Sequence, residues 1–160
     1  MVSFTQAVKK FYTKAFTFKG RATRAEFWWA QLYLIIVLST IACMSIVIKD
    51  LQDILISIGI IFMLINSIPR ISLQVRRYHD IGESGTMYFA MWFLSLFCSV
   101  IIPSYKIAGL CDLVITIFIL IQNCTPGERA DNKYGYNPYD NSPRPQSDTT
   151  NDIDIEDVEL

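Results

Sequence analysis

The feature that most constrains this chain is an apolar stretch, residues 27–48, that contains no ionisable side chain. At about 1.5 Å of rise per residue, a helix over this stretch is long enough to cross a hydrocarbon core of about 30 Å. A helix is expected because a segment in lipid must satisfy its own backbone hydrogen bonds. Composition agrees, since 52% hydrophobic and only 18% charged residues are unusual for a water-soluble chain of 160 residues. The sequence therefore predicts an integral membrane protein.

Further apolar stretches predict an all-α, polytopic membrane bundle in a single domain over residues 1–141. We place four transmembrane helices at about 27–48, 51–75, 87–102 and 107–124. The second span carries Pro69 and Arg70, which predict a kink and a guanidinium that must snorkel or find a partner. The last two spans are short, so tilt or bilayer thinning is expected. The main alternative has three spans, with the third apolar stretch re-entrant.

The distribution of lysine and arginine predicts the orientation of the bundle. With four spans, only Lys49 and Lys106 lie on one side of the membrane, and all other Lys and Arg residues lie on the opposite side. Cytoplasmic loops retain positive charge during insertion, so both termini are predicted to be cytoplasmic. Residues 1–19 show no removable signal peptide, and the first span is expected both to target and to anchor the chain.

The two ends of the chain differ in character. Near the start, apolar residues recur at helical spacing and predict an amphipathic N-terminal helix: Phe4, Val8, Phe11, Tyr12 and Ala15. This helix either lies in the membrane interface or packs against the cytoplasmic end of the bundle. At the other end, residues 148–160 hold six acidic residues and no base, which predicts a disordered acidic tail over 142–160. Such a tail is either merely solvated or docks on a basic surface.

Three polar motifs fall on the same predicted face of the membrane. They occupy residues 20–29 before the first span, 76–85 between the second and third spans, and 131–138 after the fourth. Their arginines offer forked donors suited to phosphates or carboxylates, and their acids lie in the same thin zone. We call this group the polar platform and assign to it Arg21, Arg24, Glu26, Arg76, Arg77, His79, Asp80, Ser84 and Asn132.

These motifs resemble those of the bacterial inner-membrane proteins of domain-of-unknown-function family 805. That family is similar in having G-R-x-x-R-x-E-[FY]-W before its first span, a proline in its second, an R-R-x-H-D-x-x-x-S-G loop and a closing N-x-[FY]-G-x-[ND]-P. The matching residues here are 20–28, Pro69, 76–85 and 132–138. Tyr78 stands where the family commonly has leucine. The resemblance covers about residues 14–139 and implies a small protein of the bacterial cytoplasmic membrane, with no established activity.

The polar platform has two interpretations. In the first it is an internal network of salt bridges and helix caps, in which Asp80 orients His79 or pairs with an arginine, glycines 82 and 85 permit a tight turn, and Ser84 caps the third span. In the second it binds a lipid headgroup or another phosphorylated ligand. The two differ in charge balance, because a network leaves no arginine without an acidic partner and a phosphate site needs at least one.

Catalysis is not expected. His79 is the only histidine, which excludes a multi-histidine metal site, and neither a nucleophile elbow nor a phosphate-binding loop is present. We predict no catalytic residue, metal, cofactor or nucleic-acid partner. Membrane lipids are the expected partners, with a second copy or another membrane protein as further candidates. The alternative function is a small oligomeric channel or transporter component, in which Asp112 and Arg70 would be the intramembrane charges.

Overall fold

The computed structural model describes residues 2–139 and is helical throughout its apolar part. Its α-helices are α1 (Phe4–Thr13), α2 (Arg24–Val47), α3 (Gln52–Asp80), α4 (Gly85–Ile101) and α5 (Tyr105–Cys124). A single 3₁₀ turn, Lys49–Leu51, joins α2 to α3. The described residues contain no strand, only one isolated bridge between Asn132 and Gly135. The predicted all-α fold class is confirmed, and the predicted acidic tail lies outside the described residues.

Three of the four predicted crossings are long and apolar enough to span a membrane. They are Arg24–Val47, Lys49–Asp80 and Tyr105–Cys124. The other apolar helix, α4, has 17 residues and is therefore about 26 Å long, at the short end of what a bilayer accepts. The chain is thus a multi-pass helical bundle, and a crossing by α4 stays a prediction that requires local thinning.

The helix that carries the second span extends beyond the predicted span. The span is predicted to end at about residue 75, with residues 76–85 joining it to the third span. Instead α3 continues without a break to Asp80, through the buried Pro69 and the motif residues Arg76 and Arg77. The helix can leave the hydrocarbon in this way because its polar end is enclosed by other parts of the chain rather than by lipid.

Helix α1 packs against the bundle, which favours the second of the two alternatives for this segment. Ala7 and Phe11 on its apolar stripe are fully buried. Its Tyr12 hydroxyl donates to Asn66 Oδ1 at 2.9 Å, which ties α1 to α3. Ser3 caps the helix in a reciprocal capping box with Gln6. The core beneath α1 joins three helices and the loop before α2, and it consists of Phe11, Ala22, Phe27, Ala30, Leu34 and Leu73.

Candidate functional site

Asp80, the last residue of α3, is the centre of the polar platform. Its Oδ1 accepts from Arg21 Nε at 3.0 Å, and its Oδ2 accepts from Arg77 Nη1 at 2.5 Å. The Tyr139 hydroxyl also donates to Oδ2, at 2.9 Å. The side chains of Arg21, Arg77 and Asp80 are at most 1% exposed, so water does not screen these pairs. One buried carboxylate therefore faces two buried guanidinium groups.

Backbone carbonyls satisfy most of the remaining donors of these two arginines. Arg21 donates to the carbonyl oxygens of Ala130, at 2.8 Å, and of Glu128. Arg77 donates to the carbonyl oxygens of Asn123, at 3.3 Å, and of Thr125. These acceptors lie at the end of α5 and in the segment that follows it, residues 125–139, which we call the clasp. The two arginines thus hold the clasp against the end of α3.

A second ion pair joins α2 to α3. Arg76 Nη1 donates to Glu26 Oε1 at 2.8 Å, and Lys10 of α1 lies 3.6 Å from the other carboxylate oxygen. Thr23 caps α2 by accepting from the Glu26 backbone N–H at 3.2 Å, which fixes the start of the helix beside this pair. Nε and Nη2 of Arg76 are buried without a partner in residues 2–139, and groups of this kind are the usual sites of internal water.

His79 is not held by Asp80, so that alternative is wrong, and the arginine alternative is the one observed. The His79 ring stacks on Tyr134 with centroids 3.8 Å apart and planes 4° apart. Its Nδ1 lies 3.2 Å from the carbonyl oxygen of Gly20. Asn132 Nδ2 donates to the His79 carbonyl at 2.9 Å and to Glu128 Oε2 at 2.7 Å. His79 and Asn132 therefore connect the clasp and the loop before α2 to the end of α3.

The turn between α3 and α4 has the cap that was predicted. The Ser84 hydroxyl accepts from the Thr86 backbone N–H at 3.3 Å. Gly82 adopts a φ of +81°, in the left-handed region that favours glycine. Gly85 does not have a positive φ. A glycine fits there because a Cβ would lie only 2.6 Å from Cγ1 of Val75. The tight turn thus depends on one glycine, and the other permits close helix packing.

Arg24 is the platform arginine that has no carboxylate partner. Its side chain is exposed, and Nη1 donates a 3.4 Å hydrogen bond to the carbonyl oxygen of Cys124. Arg129 of the clasp is also exposed and has no acid within ion-pair distance in the described part of the chain. The nearby Asp131 accepts from the Asn137 backbone N–H at 2.7 Å. By the charge-balance criterion, the platform is a paired network with a spare arginine at its edge.

The two unpaired arginines line the same pocket. It has a volume of about 510 Å³ and is lined by Arg24, Pro126, Gly127, Arg129, Asn137 and Tyr139. We call it the Arg24 pocket. Arg24 is also the first residue of α2, so the positive end of that helix dipole faces the same region. Burial and the Asp80 carboxylate raise the pKa of Tyr139, so its phenol is a neutral hydrogen-bond donor at neutral pH.

Sequence reasoning missed Tyr139 and Glu128. Tyr139 follows the closing motif by one residue, and its role depends on a contact with Asp80 across 59 positions of the chain. The carbonyl oxygens that accept from Arg21 and Arg77 have no sequence signature at all, because every residue carries one. A buried arginine pair with a single nearby acid was the available signal that further acceptors had to exist.

The intramembrane acid Asp112 has partners within its own helical hairpin. Ser95 donates to its Oδ1 at 2.7 Å, and Ser99 lies 3.3 Å from its Oδ2. These contacts join α4 to α5, which is the usual role of polar side chains in membrane bundles. Within residues 2–139, no group of three or more His, Cys, Asp or Glu residues is arranged to hold a metal ion.

Comparison with known proteins places this architecture in a family. The family model described as "Protein of unknown function (DUF805)" matches residues 15–136, which include helices α2 to α5 and every residue of the polar platform. No curated protein and no solved structure matches the chain. The resemblance seen in the three motifs is therefore confirmed, and because the match covers well over half of the sequence, the chain belongs to the DUF805 family of proteins of unknown function.

Proposed function

We propose that the protein is a non-enzymatic, multi-pass component of the bacterial cytoplasmic membrane that binds the phosphate of an anionic phospholipid headgroup in the Arg24 pocket. In this proposal both termini are cytoplasmic. The buried network positions the clasp, and the clasp completes the pocket. The observation that carries the proposal is the contrast between Arg21, Arg76 and Arg77, which are buried and paired with acids, and Arg24 and Arg129, which are exposed and have no acidic partner.

The chemistry of the pocket supports a phosphate ligand. The three buried arginines are paired with acids, whereas the two exposed arginines present forked donors that no acid in residues 2–139 occupies. The amide of Asn137 donates one N–H to the Arg129 carbonyl, and its second N–H can add an uncharged donor at the same site. The N-terminus of α2 supplies further partial positive charge.

The non-enzymatic part of the proposal rests on how the reactive side chains are used. The Ser84 hydroxyl caps α4 and lies 2.9 Å from the Thr86 hydroxyl. His79, the histidine that would serve as its base, stacks on Tyr134 and meets the Gly20 carbonyl. Each group thus has a structural partner, and within residues 2–139 Ser84 and His79 form no hydrogen bond with each other.

The test uses the full chain in nanodiscs that contain equal parts of phosphatidylglycerol and phosphatidylcholine. Native mass spectra of the protein released from these discs report how many lipids of each class are retained. We expect the double variant Arg24→Ala/Arg129→Ala to retain fewer phosphatidylglycerol molecules than the wild type, because the Arg24 pocket is lost. Lys106→Ala is the matched control, since it removes an exposed cation at the other end of the bundle.

A second arm distinguishes a lipid from a free phosphorylated metabolite. Soluble glycerol 3-phosphate is added to the detergent-solubilised protein, and its effect on the unfolding temperature is measured. Retained phosphatidylglycerol without a shift by glycerol 3-phosphate supports the membrane ligand. A shift in unfolding temperature without retained lipid would mean that the ligand is a soluble phosphate compound and not a membrane lipid. Equal lipid retention by wild type and the double variant would remove the Arg24 pocket as a binding site.

A further inference from the structure

A separate arginine, Arg70, lies on the membrane-facing side of the bundle and has no partner among residues 2–139. It follows the buried Pro69 in α3, and its side chain is exposed. Within residues 2–139 it forms no salt bridge and no side-chain hydrogen bond. A guanidinium near hydrocarbon is costly unless it reaches water or a counter-charge. The protein thus leaves one full positive charge to be satisfied from outside.

The depth of Arg70 places it just inside the polar zone. On α3 it precedes Arg76 by six residues, which corresponds to about 9 Å along the helix. Arg76 is bonded to Glu26 at the start of α2, so its level marks the polar end of the bundle. An arginine at this depth can extend its stem along the helix and bring its head toward the level of the lipid phosphates.

The groove around Arg70 has the form of a lipid site. It lies between α3 and α4 and has a volume of about 530 Å³. Its lining combines one cation and one hydroxyl of α3 with an aromatic wall on α4: Ser67, Arg70, Ile71, Tyr88, Phe89, Trp92 and Phe93. Trp92 is 53% exposed and Phe93 is 60% exposed, so they offer apolar surface to an acyl chain. Tyr88 and Trp92 also carry polar atoms that suit the membrane interface.

From this arrangement we propose that the α3–α4 groove binds one anionic glycerophospholipid, with its phosphate on Arg70 and an acyl chain along Trp92 and Phe93. Charge complementarity selects the ligand class. A zwitterionic headgroup carries its own ammonium group, which offsets the attraction between its phosphate and Arg70. Arg70 is the one cation among the groove's lining residues. The site does not depend on the Arg24 pocket, which lies on the clasp side of the polar end and shares no lining residue with it.

The experiment uses the fluorescence of Trp92, which is part of the proposed site. The variant Trp28→Phe/Trp29→Phe of the full chain leaves Trp92 as the remaining tryptophan of three. It is reconstituted in phosphatidylcholine bilayers in which a fixed fraction of lipid carries brominated acyl chains. The brominated lipid is either phosphatidylglycerol or phosphatidylcholine. Bromine quenches tryptophan only on contact, so quenching measures how often each lipid occupies the groove.

We expect brominated phosphatidylglycerol to be enriched about fivefold at Trp92 over brominated phosphatidylcholine, as one interfacial arginine contributes about that ratio. Arg70→Gln in the same background should abolish the preference, and Arg70→Lys should retain part of it. Arg24→Ala/Arg129→Ala should leave it unchanged, which separates this site from the one proposed above. Unbrominated phosphatidylglycerol should relieve the quenching by competition.

Equal quenching by the two lipids in the parent background overturns the proposal, whether or not the Arg70 variants fold. A preference that survives Arg70→Gln also overturns it, because the attraction then comes from other charges. Weak quenching by both lipids, together with a dimer trapped by cross-linking through α4, would mean that a second copy covers the groove instead. Circular dichroism and size-exclusion elution of each variant establish that the comparison is made between folded proteins.

Discussion

Helix α3 contains two regions that are stabilised in opposite ways. Over residues 52–65 no side chain is buried, and large apolar groups such as Ile54 and Leu64 are 57% and 67% exposed. Over residues 72–78 every side chain is buried, including two arginines. The first region leaves its surface to the lipid, whose hydrocarbon is as apolar as leucine. The second must have its charges satisfied by the protein itself, because neither water nor lipid reaches them.

The comparison indicates which region of the protein tolerates substitution and which does not. In the lipid-facing region, apolar side chains can be exchanged at little cost because lipid fills any gap. In the polar region the arginines pair with buried acids, and the loss of one acid leaves an uncompensated buried charge. The position of the clasp, and with it the shape of the Arg24 pocket, depends on this second region.

The largest expected effect comes from removing the central acid. Asp80→Asn leaves Arg21 and Arg77 buried without their carboxylate, and breaking a buried ion pair on one side costs about 3–5 kcal/mol. We expect a loss of unfolding free energy of this size, measured by denaturant titration in detergent micelles. The control is Asp53→Asn, an exposed acid in the first turn of the same helix, which should change stability little. A similar loss for both variants would contradict the contrast between the two regions.

A smaller effect is expected from a single added methyl group. A Cβ at Gly127 would collide with the Asp80 carboxylate. Gly127→Ala should therefore push the clasp away from α3 and cost about 1–3 kcal/mol, as overpacking does. Gly109→Ala is the matched control in α5, since nothing lies within 4 Å of its Cβ position and alanine favours a helix. Limited proteolysis of the clasp tests this prediction. Equal cleavage rates for the two variants would contradict it.

Loss of the Tyr139 hydroxyl tests how firmly the clasp is held. Tyr139→Phe removes a 2.9 Å hydrogen bond to Asp80 and should lower stability by about 1 kcal/mol. Because burial and Asp80 raise the pKa of Tyr139, the favoured form is the neutral phenol. Its contribution is then complete below the ordinary tyrosine pKa of about 10 and is lost as pH rises through the raised value.

The pH dependence of the difference in stability between wild type and Tyr139→Phe separates the Tyr139 phenol from the other titratable groups of the protein. The difference in stability should be constant from pH 7 to about 10 and should decrease at higher pH. A difference that grows above pH 10 would mean that the phenolate, not the phenol, is the stabilised form. Thermal unfolding in detergent at a series of pH values provides the measurement.

The smallest effect is expected in the α4–α5 hairpin, which like residues 52–65 of α3 belongs to the apolar part of the bundle. Ser95→Ala removes one donor to Asp112 but leaves the contact from Ser99. Hydrogen bonds between helices in membranes contribute about 0.6 kcal/mol on average, so a change of that order is expected. A double-mutant cycle of Ser95→Ala with Asp112→Asn measures the coupling. A coupling as large as the loss caused by Asp80→Asn would show that the two regions do not differ as we infer.

The sequence predicted the apolar helices well and the polar end only in part. Uninterrupted apolar runs define α2 and α5 within a few residues, because helix length is dictated by the bilayer. The Ser84 cap was also readable, since capping depends on a single local side chain. The continuation of α3 to Asp80 was not predicted, because the charges of residues 76–80 are typical of a connection between spans, whereas burial of Arg76 and Arg77 allows the helix to continue. A pattern of residue types does not show whether a charge is exposed or enclosed.

What the sequence by itself determined is the all-helical class, the apolar helices that are long enough to cross a membrane, and the family motifs. These follow from hydropathy and from residue identity, both of which are local properties of the chain. Only the tertiary structure decided which arginines are neutralised. Arg21 and Asp80 are 59 residues apart, and the carbonyls that complete the network come from a clasp about a hundred residues beyond Arg21. Pairing across such separations depends on how the helices pack, and it alone distinguishes a buried structural arginine from Arg24 and Arg70, which are exposed and have no acidic partner within residues 2–139.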